Sequence, residues 1–307
     1  MRPTVTAVIL NFDMTDDTVA CVRSLQKATY APLRILVVDN ASPGGAEERL
    51  RRELPGVEVR GAGRNLGYAG GINAGFRFAL EQPAEYLLAL NPDTEVEPGF
   101  LEPLVAAMEA DPAAAIAGGT IYAHHDRTRA WYAGGRLVPW RGLAVHLRKG
   151  EVLEPATLGD PRPVTFVTGC LALHRVSLLP CVGPQDERFF LYLDDVELSA
   201  RALRRGCRLL YVPRSVVYHK VLGERDSRLK LYYSVRNRLL LVETAFRGPA
   251  RHVARLYFLA AIAAKLAAWS VLRPAFFEAA RAGLADYRRG LFHEGRGLRF
   301  RGKEERA

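Results

Sequence analysis

The chain has 307 residues, of which 49% are hydrophobic and 25% charged, so it can bury a sizeable core and is not disordered as a whole. Its net charge of +10 is unevenly distributed along the chain, because residues 1–200 carry a net charge of −6 and residues 201–307 carry +16. The four cysteines form no CxxC or Cys/His pattern, which argues against structural zinc and a disulfide framework and favours a reducing cytoplasm. The N-terminal apolar run has no long h-region or cleavage site, so we expect no export.

The first half of the chain alternates short apolar runs with helix-like patterns, which is typical of a mostly parallel sheet with helices on its faces. The predicted strands are Val5–Leu10, Ile35–Asp39, Val57–Arg60, Tyr86–Leu90 and Ala115–Gly119. The predicted helices are Asp16–Ala28, Glu47–Glu53, Gly70–Glu81 and Pro98–Glu109. The fold class is therefore α/β. Ligands bind at the carboxyl ends of the strands in such sheets, so we expect chemistry at Asn11, Asp39 and Asp93.

The middle of the chain is less regular. From about residue 121 to residue 163, glycine, proline and tryptophan with weak periodicity predict hairpins and loops that cover a site or hold an acceptor. Order returns at Val164–His174. The second half of Phe189–Arg205 has helical spacing.

Three further helices are predicted in the basic C-terminal third, over Leu229–Phe246, Val253–Leu272 and Phe276–Tyr287. Charged residues interrupt the last two, so we predict an interfacial amphipathic pair rather than a membrane span. The alternative is that these helices pack on the body of the protein or on a second subunit, as in a homodimer. The basic surface suits anionic lipid or a phosphorylated substrate, and no recognition motif supports a nucleic-acid partner.

Two polar clusters follow predicted strands. Asp39, Asn40 and Ser42 can pair with a nucleobase edge or a ribose, although such residues are also common in turns. Six glycines lie between Gly61 and Gly75, where they allow close backbone approach and where a helix N-terminus offers free N–H groups to an anion. Leu66 takes the place of the third glycine of a dinucleotide fingerprint, so a dehydrogenase is not favoured.

Carboxylates form the other two motifs. Asp93, in Asn91-Pro-Asp-Thr-Glu95, can hold a hard cation such as Mg²⁺ or Mn²⁺ that also binds substrate phosphates, or it can belong to a simple turn. Asp194, Asp195 and Glu197 follow an aromatic run, which is costly unless they face a cleft, a metal or a cation. Adjacent carboxylates raise one another's pKa, which suits a general base. An acidic first turn of a helix is the structural alternative.

Taken in order, these segments resemble the family 2 inverting glycosyltransferases, and in particular their rhamnosyltransferase-like branch. The resemblance covers roughly residues 4 to 245. It rests on VVDNAS at 37–42, GRNLGYAGGINAGF at 63–76, LALNPDTEVEPGF at 88–100, VTGCLALHR at 167–175, DERFFLYLDDVELSARALRRG at 186–206 and YYSVRNRLLL at 232–241. The family implies a GT-A (Rossmann-like) fold, a nucleoside-diphosphate sugar donor, a divalent cation and one-step inversion at the anomeric carbon. We assign residues 1–227 to this catalytic domain and residues 228–307 to a basic, amphipathic helical extension.

The resemblance also implies roles for individual residues. Asp195 would be the catalytic base, with Asp194 beside it. Asp93 would bind Mg²⁺ or Mn²⁺ with His219, although a lone histidine is more often structural. The implied donor-binding residues are Asn11, Asp39, Asn40, Asn65, Gly67, Asn91 and Asp93. The implied acceptor contacts are Trp131, Gly169 and Glu197. Asp194 and Glu197 exchange the usual Glu and Asp of the family.

A dTDP-sugar such as dTDP-rhamnose is the donor expected from this branch, and UDP- and GDP-sugars remain open. The acceptor is expected to be a hydroxyl of a glycan or lipid-linked glycan in cell-surface polysaccharide synthesis, at the cytoplasmic face of the cell membrane. One alternative is a nucleotidyltransferase, but the segment after the first strand lacks a Gly-rich, Arg/Lys-bearing signature. Another is an inactive, membrane-associated scaffold that binds nucleotide-sugars, against which the presence of Asp93 and Asp195 argues.

Overall fold

The structure is a computed structural model that describes residues 2–154, 158–220 and 227–300. Its strands are β1 (Val5–Asn11), β2 (Leu33–Asp39), β3 (Glu58–Gly61), β4 (Tyr86–Leu90), β5 (Thr94–Val96), β6 (Ala114–Ala123), β7 (Asp126–Tyr132), β8 (Gly135–Val138), β9 (Leu143–His146), β10 (Arg162–Val164), β11 (Leu171–Arg175) and β12 (Arg208–His219). Its α-helices are α1 (Thr15–Leu25), α2 (Ala46–Glu53), α3 (Gly67–Ala79), α4 (Leu101–Ala110), α5 (Leu179–Val182), α6 (Asp194–Arg204), α7 (Arg228–Ala245), α8 (Gly248–Leu272) and α9 (Pro274–Arg288).

A ten-stranded mixed sheet forms the centre of the fold, with the main order β10-β12-β6-β11-β4-β1-β2-β3. The four neighbouring strands β3, β2, β1 and β4 are parallel to one another. Strands β1, β2 and β4 are largely apolar, as expected for strands buried on both faces, whereas β3 at the end of the sheet buries only Val59. The next strand, β11, is antiparallel to both β4 and β6. An antiparallel strand begins where its neighbour ends, so β11 starts at the edge of the sheet where β4 finishes. The predicted α/β class is confirmed.

Two strands lie outside every segment in which the sequence predicted a strand, a hairpin or a regular pattern. The first is β12, whose twelve residues include Pro213 and whose register against β6 shifts between Val212 and Val216. A proline and a bulge interrupt the apolar pattern, so this segment does not show the periodicity of one strand. The second is β5, which has three residues and pairs with β12. Hairpins were predicted between residues 121 and 163, and β7 and the two-stranded sheet of β8 and β9 lie there.

The glycine-rich helix α3 lies unusually close to the sheet. A Cβ atom added to Gly71 would lie 2.5 Å from the Leu10 side chain, and one added to Gly75 would overlap Val8. Larger residues at these two positions would push the helix away from β1. The helix begins at Gly67, three residues before the predicted start, and this earlier start brings its N-terminus to the carboxyl edge of the sheet.

The C-terminal helices differ in how much they bury. Helix α7 buries much of its surface and packs against α9, whereas α8 buries only Ala254, Phe258 and Ile262. Within the described parts of the chain, α8 is the one helix that is long and apolar enough to cross a membrane by length and composition, with a mean hydropathy of 1.4 over its most apolar window. The division of the chain at residue 227 stays a prediction.

Candidate active site

The carboxyl ends of β1 and β2 bring Asn11 and Asp39 together as register partners. The Asn11 Nδ2 atom donates to Asp39 Oδ1 at 2.7 Å and to Ser42 Oγ at 3.0 Å, and Asp39 Oδ2 accepts from the Ser42 N–H at 3.0 Å. Thr18, which the sequence did not single out, donates to Asn11 Oδ1 at 2.8 Å. These bonds hold the Asp39 carboxylate in one orientation, as a preformed polar site requires.

A second polar group links β2 to the start of α3. The Asn40 side chain donates to Asn65 Oδ1 at 3.1 Å and to the Gly67 carbonyl at 3.0 Å, and its own Oδ1 accepts from the Leu66 N–H. Asn65 Oδ1 also accepts from the Gly67 N–H at 2.8 Å. The predicted donor-binding residues Asn40, Asn65 and Gly67 are therefore hydrogen-bonded to one another. Both the N–H and the carbonyl of Gly67 are occupied by these bonds.

The next N–H groups of α3 are occupied as well. The Phe190 carbonyl accepts from the Tyr68 N–H at 2.5 Å and from the Ala69 N–H at 3.4 Å. Gly67, at φ +71°, permits this approach, because a Cβ atom there would lie 2.5 Å from the Phe190 ring. The prediction that this helix N-terminus offers free N–H groups to an anion is therefore wrong. The glycines bring α3 against the loop around Phe190 instead.

Asp93 and His219 meet at the same edge of the sheet. Thr94 is the register partner of His219, and the Lys220 N–H donates to the Asp93 carbonyl at 2.8 Å. This pairing places His219 Nε2 3.1 Å from Asp93 Oδ1, where Asp93 is partly accessible and His219 is buried. The Trp131 ring lies 4.6 Å from the His219 ring, between centroids. Trp131 therefore belongs to the Asp93 side of the site.

The residues around Asp93 include two candidate ligands for a hard cation, whose remaining coordination would have to come from the substrate and water. The described residues contain no group of three or more His, Cys, Asp or Glu side chains arranged to hold a metal ion. Asp93 supplies an oxygen and His219 a nitrogen. Nearby, Asn91 Oδ1 is buried and has no hydrogen-bond partner among the described residues. Mg²⁺ and Mn²⁺ sites commonly use one or two protein ligands together with phosphate oxygens and water.

Asp195 lies at the start of α6, beside the turn before β11. Its Oδ2 accepts from the Gly169 N–H at 3.0 Å, and its Oδ1 accepts from the Val196 N–H at 2.8 Å. Burial raises the pKa of Asp195, while hydrogen bonds from Gly169, Val196 and the Thr168 side chain oppose that rise. Asp195 remains partly exposed. Its carboxylate is therefore oriented and accessible, with a pKa above its ordinary value, as a general base needs.

Asp194 has a different environment from its neighbour. It is only 3% exposed, and its Oδ2 has no hydrogen-bond partner among the described residues. Burial, and then the charge of Asp195, raise the pKa of Asp194 well above its ordinary value. The two carboxyls titrate as a pair. Three groups donate hydrogen bonds to Asp195, whereas the one hydrogen bond that favours the charged form of Asp194 comes from its own backbone, so we expect a proton held by the pair to lie on Asp194.

The Asp93 and Asp195 groups converge on Tyr68. The Tyr68 hydroxyl donates to the Gly169 carbonyl at 2.7 Å, which joins α3 to the turn that holds Asp195. Burial is the largest cause of the raised pKa of Tyr68, and the charges of Asp194, Asp195 and Asp93 add to it. Carboxylates from the end of β4 and the start of α6 thus act on one side chain. The antiparallel strand β11 makes this possible, because its first residue, Leu171, pairs with Leu90.

Glu197 has contacts that do not fit its predicted contact with an acceptor. Its side chain is 4% exposed, and both carboxylate oxygens accept from the Arg201 guanidinium, the shortest bond being 2.8 Å. Arg201 also donates to the Val182 and Pro184 carbonyls. The carboxylate is held in a buried ion pair within α6, and Arg201 joins that helix to α5, so we correct the assignment of Glu197 to a structural one.

Sequence reasoning missed several residues that support the site. Thr168 bonds to Asp195, and Lys220 follows His219 and forms an ion pair with Asp17 at 2.8 Å. Arg236 and Asn237 belong to a motif already noted in the sequence, but nothing in the sequence indicates what they contact. Their partners lie far away in the chain, where local periodicity carries no information about them.

Comparison with known proteins gives a family match. The family described as glycosyl transferase family 2 matches residues 6–182, which is more than half of the chain. An N-acetylglucosaminyl-diphospho-decaprenol L-rhamnosyltransferase of Mycobacterium tuberculosis is 30% identical over 216 residues, which cover 64% of this chain and 69% of the relative. The dTDP-rhamnosyl transferase RfbF of Shigella flexneri is 26% identical over 221 residues, which cover 68% of this chain and 70% of the relative.

Solved structures show the same fold. The crystal structure of GalNAc-T7 with UDP, GalNAc and Mn²⁺ aligns with a TM-score of 0.62 and 18% sequence identity. The alignment covers 93% of this chain and 55% of that chain. At this identity the likeness establishes the fold, which is the GT-A fold expected from the sequence, and it leaves the activity to other observations.

The unlike environments of Asp194 and Glu197 predict opposite effects on stability. Asp194→Asn should raise the free energy of unfolding at pH 7–8 by roughly 1 kcal/mol, because it removes a carboxyl whose ionisation burial opposes. A raised pKa means that the folded state binds the proton more tightly, so this advantage should disappear as the pH falls below the ordinary pKa of aspartate. Urea denaturation at several pH values measures it.

Glu197→Gln is the matched control, since it leaves Arg201 without its carboxylate and should destabilise the fold at neutral pH. Equal effects of the two substitutions would contradict the assignment of a protonated Asp194 beside an ion-paired Glu197.

Proposed function

The chain belongs to glycosyl transferase family 2, and from that premise we propose that it is an inverting, metal-dependent glycosyltransferase that uses Asp195 as its base. The observation that supports this most is the meeting of two kinds of carboxylate at one edge of the sheet. Asp93 lies beside His219, and Asp195 is oriented by the Gly169 N–H. One suits a cation and a diphosphate, and the other suits an acceptor hydroxyl.

The donor is proposed to be a nucleoside-diphosphate sugar, held by residues of the first four parallel strands. Asn11 and Asp39 form a rigid pair of amide and carboxylate at the ends of β1 and β2, which suits the edge of a base or a ribose. We propose a dTDP-sugar, with rhamnose as the transferred sugar. The names of the mycobacterial and Shigella relatives support rhamnose, and that of the Shigella protein supports dTDP. UDP- and GDP-sugars are the alternatives that a binding test separates.

The diphosphate is proposed to lie beside Asp93, His219 and Lys220. A divalent cation bound to Asp93 and His219 would supply positive charge to the leaving diphosphate. Lys220, the residue after His219, adds a cationic side chain, and its Nζ lies 2.8 Å from Asp17 Oδ1. Trp131 packs on His219 and holds the ring in place.

On the acceptor side, Asp195 is proposed to remove the proton from the attacking hydroxyl. The Gly169 and Val196 N–H groups fix the carboxylate, and Asp194, whose pKa burial raises further, is proposed to keep its proton so that the pair carries one charge. The hydroxyl oxygen then bonds to the anomeric carbon as the bond from that carbon to the diphosphate breaks. Attack from the opposite side of the ring inverts the anomeric configuration.

The acceptor is proposed to be a glycan or lipid-linked glycan at the cytoplasmic face of the cell membrane, in cell-surface polysaccharide synthesis. The name of the mycobacterial relative includes a diphospho-decaprenol. Helix α8 leaves Leu256, Val271 and Leu272 more than two-thirds exposed, an unusual state for large apolar side chains. The same C-terminal third carries the positive charge of the chain, so contact with an anionic membrane surface accounts for both features.

Asp195→Asn tests the base. Sugar transfer should fall by about 10²–10⁴-fold while the affinity for nucleoside diphosphate stays the same, because the substitution removes proton transfer and leaves the donor site intact. In the wild type, kcat should rise with pH through a pKa above the ordinary value of aspartate. Release of nucleoside diphosphate and NMR of the anomeric proton in the product measure rate and inversion.

Asp16→Asn, at an exposed aspartate, is the control for Asp195→Asn and should retain full activity. Undiminished transfer by Asp195→Asn would remove Asp195 as the base. A wild type that binds a nucleotide-sugar and never turns over would favour the inactive scaffold, and release of pyrophosphate from a nucleoside triphosphate would favour the nucleotidyltransferase.

Asp93→Asn tests the cation site. The Mn²⁺ concentration for half-maximal activity should rise by about 10–100-fold, because the variant loses a charged oxygen ligand. Calorimetric titration of dTDP should show that Mn²⁺ no longer strengthens nucleotide binding. Glu95→Gln is the matched control two residues away, since Glu95 pairs with His124 and Arg127 and should not affect Mn²⁺. Full wild-type activity in EDTA would contradict metal dependence.

The double variant Leu256→Ser with Leu272→Ser tests the membrane surface. Its binding to phosphatidylglycerol-containing vesicles should weaken at least about tenfold, because each substitution removes exposed apolar surface that inserts into lipid. Leu80→Ser, at an exposed leucine that follows α3, should bind like wild type. Sedimentation with vesicles measures both. If the wild type does not bind vesicles but dimerises through α8, the membrane assignment is wrong and a second subunit covers this surface.

A further inference from the structure

The loop that precedes Asp194 and Asp195 has an unusual backbone. A short 3-10 helix ends at Phe189, and α6 starts at Asp194. Between them Phe190, Tyr192 and Leu193 have positive φ values of 62°, 69° and 69°. Non-glycine residues rarely adopt this conformation, and it persists only where the surroundings impose it. The loop therefore depends on contacts from other parts of the chain.

Most of those contacts come from two adjacent residues of α7. The Asn237 side-chain nitrogen lies within hydrogen-bond distance of three carbonyl oxygens, those of Phe189 (2.8 Å), Leu191 (2.8 Å) and Tyr192 (2.9 Å). The Arg236 guanidinium donates to the Arg188 carbonyl at 3.1 Å and again to the Phe189 carbonyl at 2.9 Å. Both side chains are fully buried.

The two α7 residues also support each other and a more distant segment. Arg236 Nε donates to Asn237 Oδ1 at 2.9 Å, which orients the amide so that its nitrogen faces the loop. Arg236 Nη1 donates to the His293 carbonyl at 2.7 Å, and the His293 N–H donates to the Arg188 carbonyl at 3.1 Å. Burying a guanidinium is costly unless its N–H groups are hydrogen-bonded. The backbone carbonyls of these two segments supply the acceptors.

The remaining carbonyls of the loop bind elsewhere. The Phe190 carbonyl accepts from the N-terminus of α3, as described above, and the Leu193 carbonyl accepts from the Glu197 N–H at 3.1 Å. Each of the six carbonyls from Arg188 to Leu193 therefore has an N–H partner. Since α7 serves four of them, the path of the chain into Asp195 depends on Arg236 and Asn237 more than on any local preference.

We propose that Arg236 and Asn237 are positioning residues of the transfer reaction, which hold the loop 188–193 so that the Asp195 carboxylate stays at the Gly169 N–H. This inference rests on the proposed function, because it needs Asp195 to act as the base. A base displaced by about 1 Å can lose on the order of 10²-fold in rate, even when the substituted residue is remote. The C-terminal region is therefore part of the catalytic unit, in addition to any contact with a membrane.

Asn237→Ala is the first test. We expect kcat to fall by about 10–100-fold with the KM for the donor within about threefold, because the donor-binding residues lie on other elements. The limb of the pH profile in which kcat rises with pH should move to lower pH. The reason is that a loosened loop admits water, which lowers the pKa of Asp195 toward its ordinary value. Hydrogen exchange measured by mass spectrometry should be faster in residues 187–196.

Arg236→Lys is the second variant, for use if Asn237→Ala does not fold, and it should show the same three effects. Arg238→Lys is the matched control on the same helix, since Arg238 donates to the Arg141 carbonyl and not to the loop. It should leave kcat, the pH profile and the exchange of residues 187–196 unchanged.

The outcomes separate this inference from the proposed function. Faster exchange with kcat and the pH profile unchanged would overturn the positioning role while transfer by the wild type stands. Unchanged hydrogen exchange in Asn237→Ala or Arg236→Lys would show that the loop does not depend on α7. That result would also overturn the positioning role. A wild type without transfer activity toward any nucleotide-sugar would overturn the proposed function itself, and the positioning role with it.

Discussion

Buried backbone carbonyls need hydrogen-bond donors, and this requirement explains much of the structure around Asp195. Within the loop from Arg188 to Leu193, the Leu191 N–H donates to the Phe189 carbonyl, and the other carbonyls need donors from outside the loop. The loop obtains them from the N-terminus of α3, from α6 and from Arg236 and Asn237 of α7. Elements that are far apart in the chain must therefore be correctly placed together before the base is in position. This dependence ties the glycine-rich segment and the C-terminal helices to one function.

The same constraint gives the glycines a role other than the expected one. A glycine-rich helix start commonly binds an anion, but here Gly67 and its neighbours allow the Phe190 carbonyl to reach the Tyr68 and Ala69 N–H groups. The partial positive charge of the helix N-terminus is directed at a protein carbonyl. In the proposed site, the positive charge that would stabilise the diphosphate comes instead from the residues around Asp93, where His219 and Lys220 lie.

The acidic pair shows how environment divides the roles of identical side chains. Asp194 and Asp195 are adjacent in sequence, and burial raises the pKa of both. N–H groups stabilise the charge of Asp195, whereas Asp194 has an oxygen without a partner among the described residues. We therefore expect Asp195 to ionise and Asp194 to keep its proton, so that this pair carries one charge beside the ion-paired Glu197.

The sequence by itself determined the family, the α/β class and the parallel half of the sheet, because apolar runs, turn residues and motif order are local features. It also identified Asn11, Asp39, Asp93, Asp195 and His219, which the structure brings to one edge of the sheet; their roles stay predictions. Only the tertiary structure decided how β12 continues past Pro213 and that Glu197 pairs with Arg201. It likewise decided what the N–H groups of α3 and the Arg236–Asn237 pair bind. Those choices depend on which donors and acceptors meet across the fold, and local pattern does not encode such meetings.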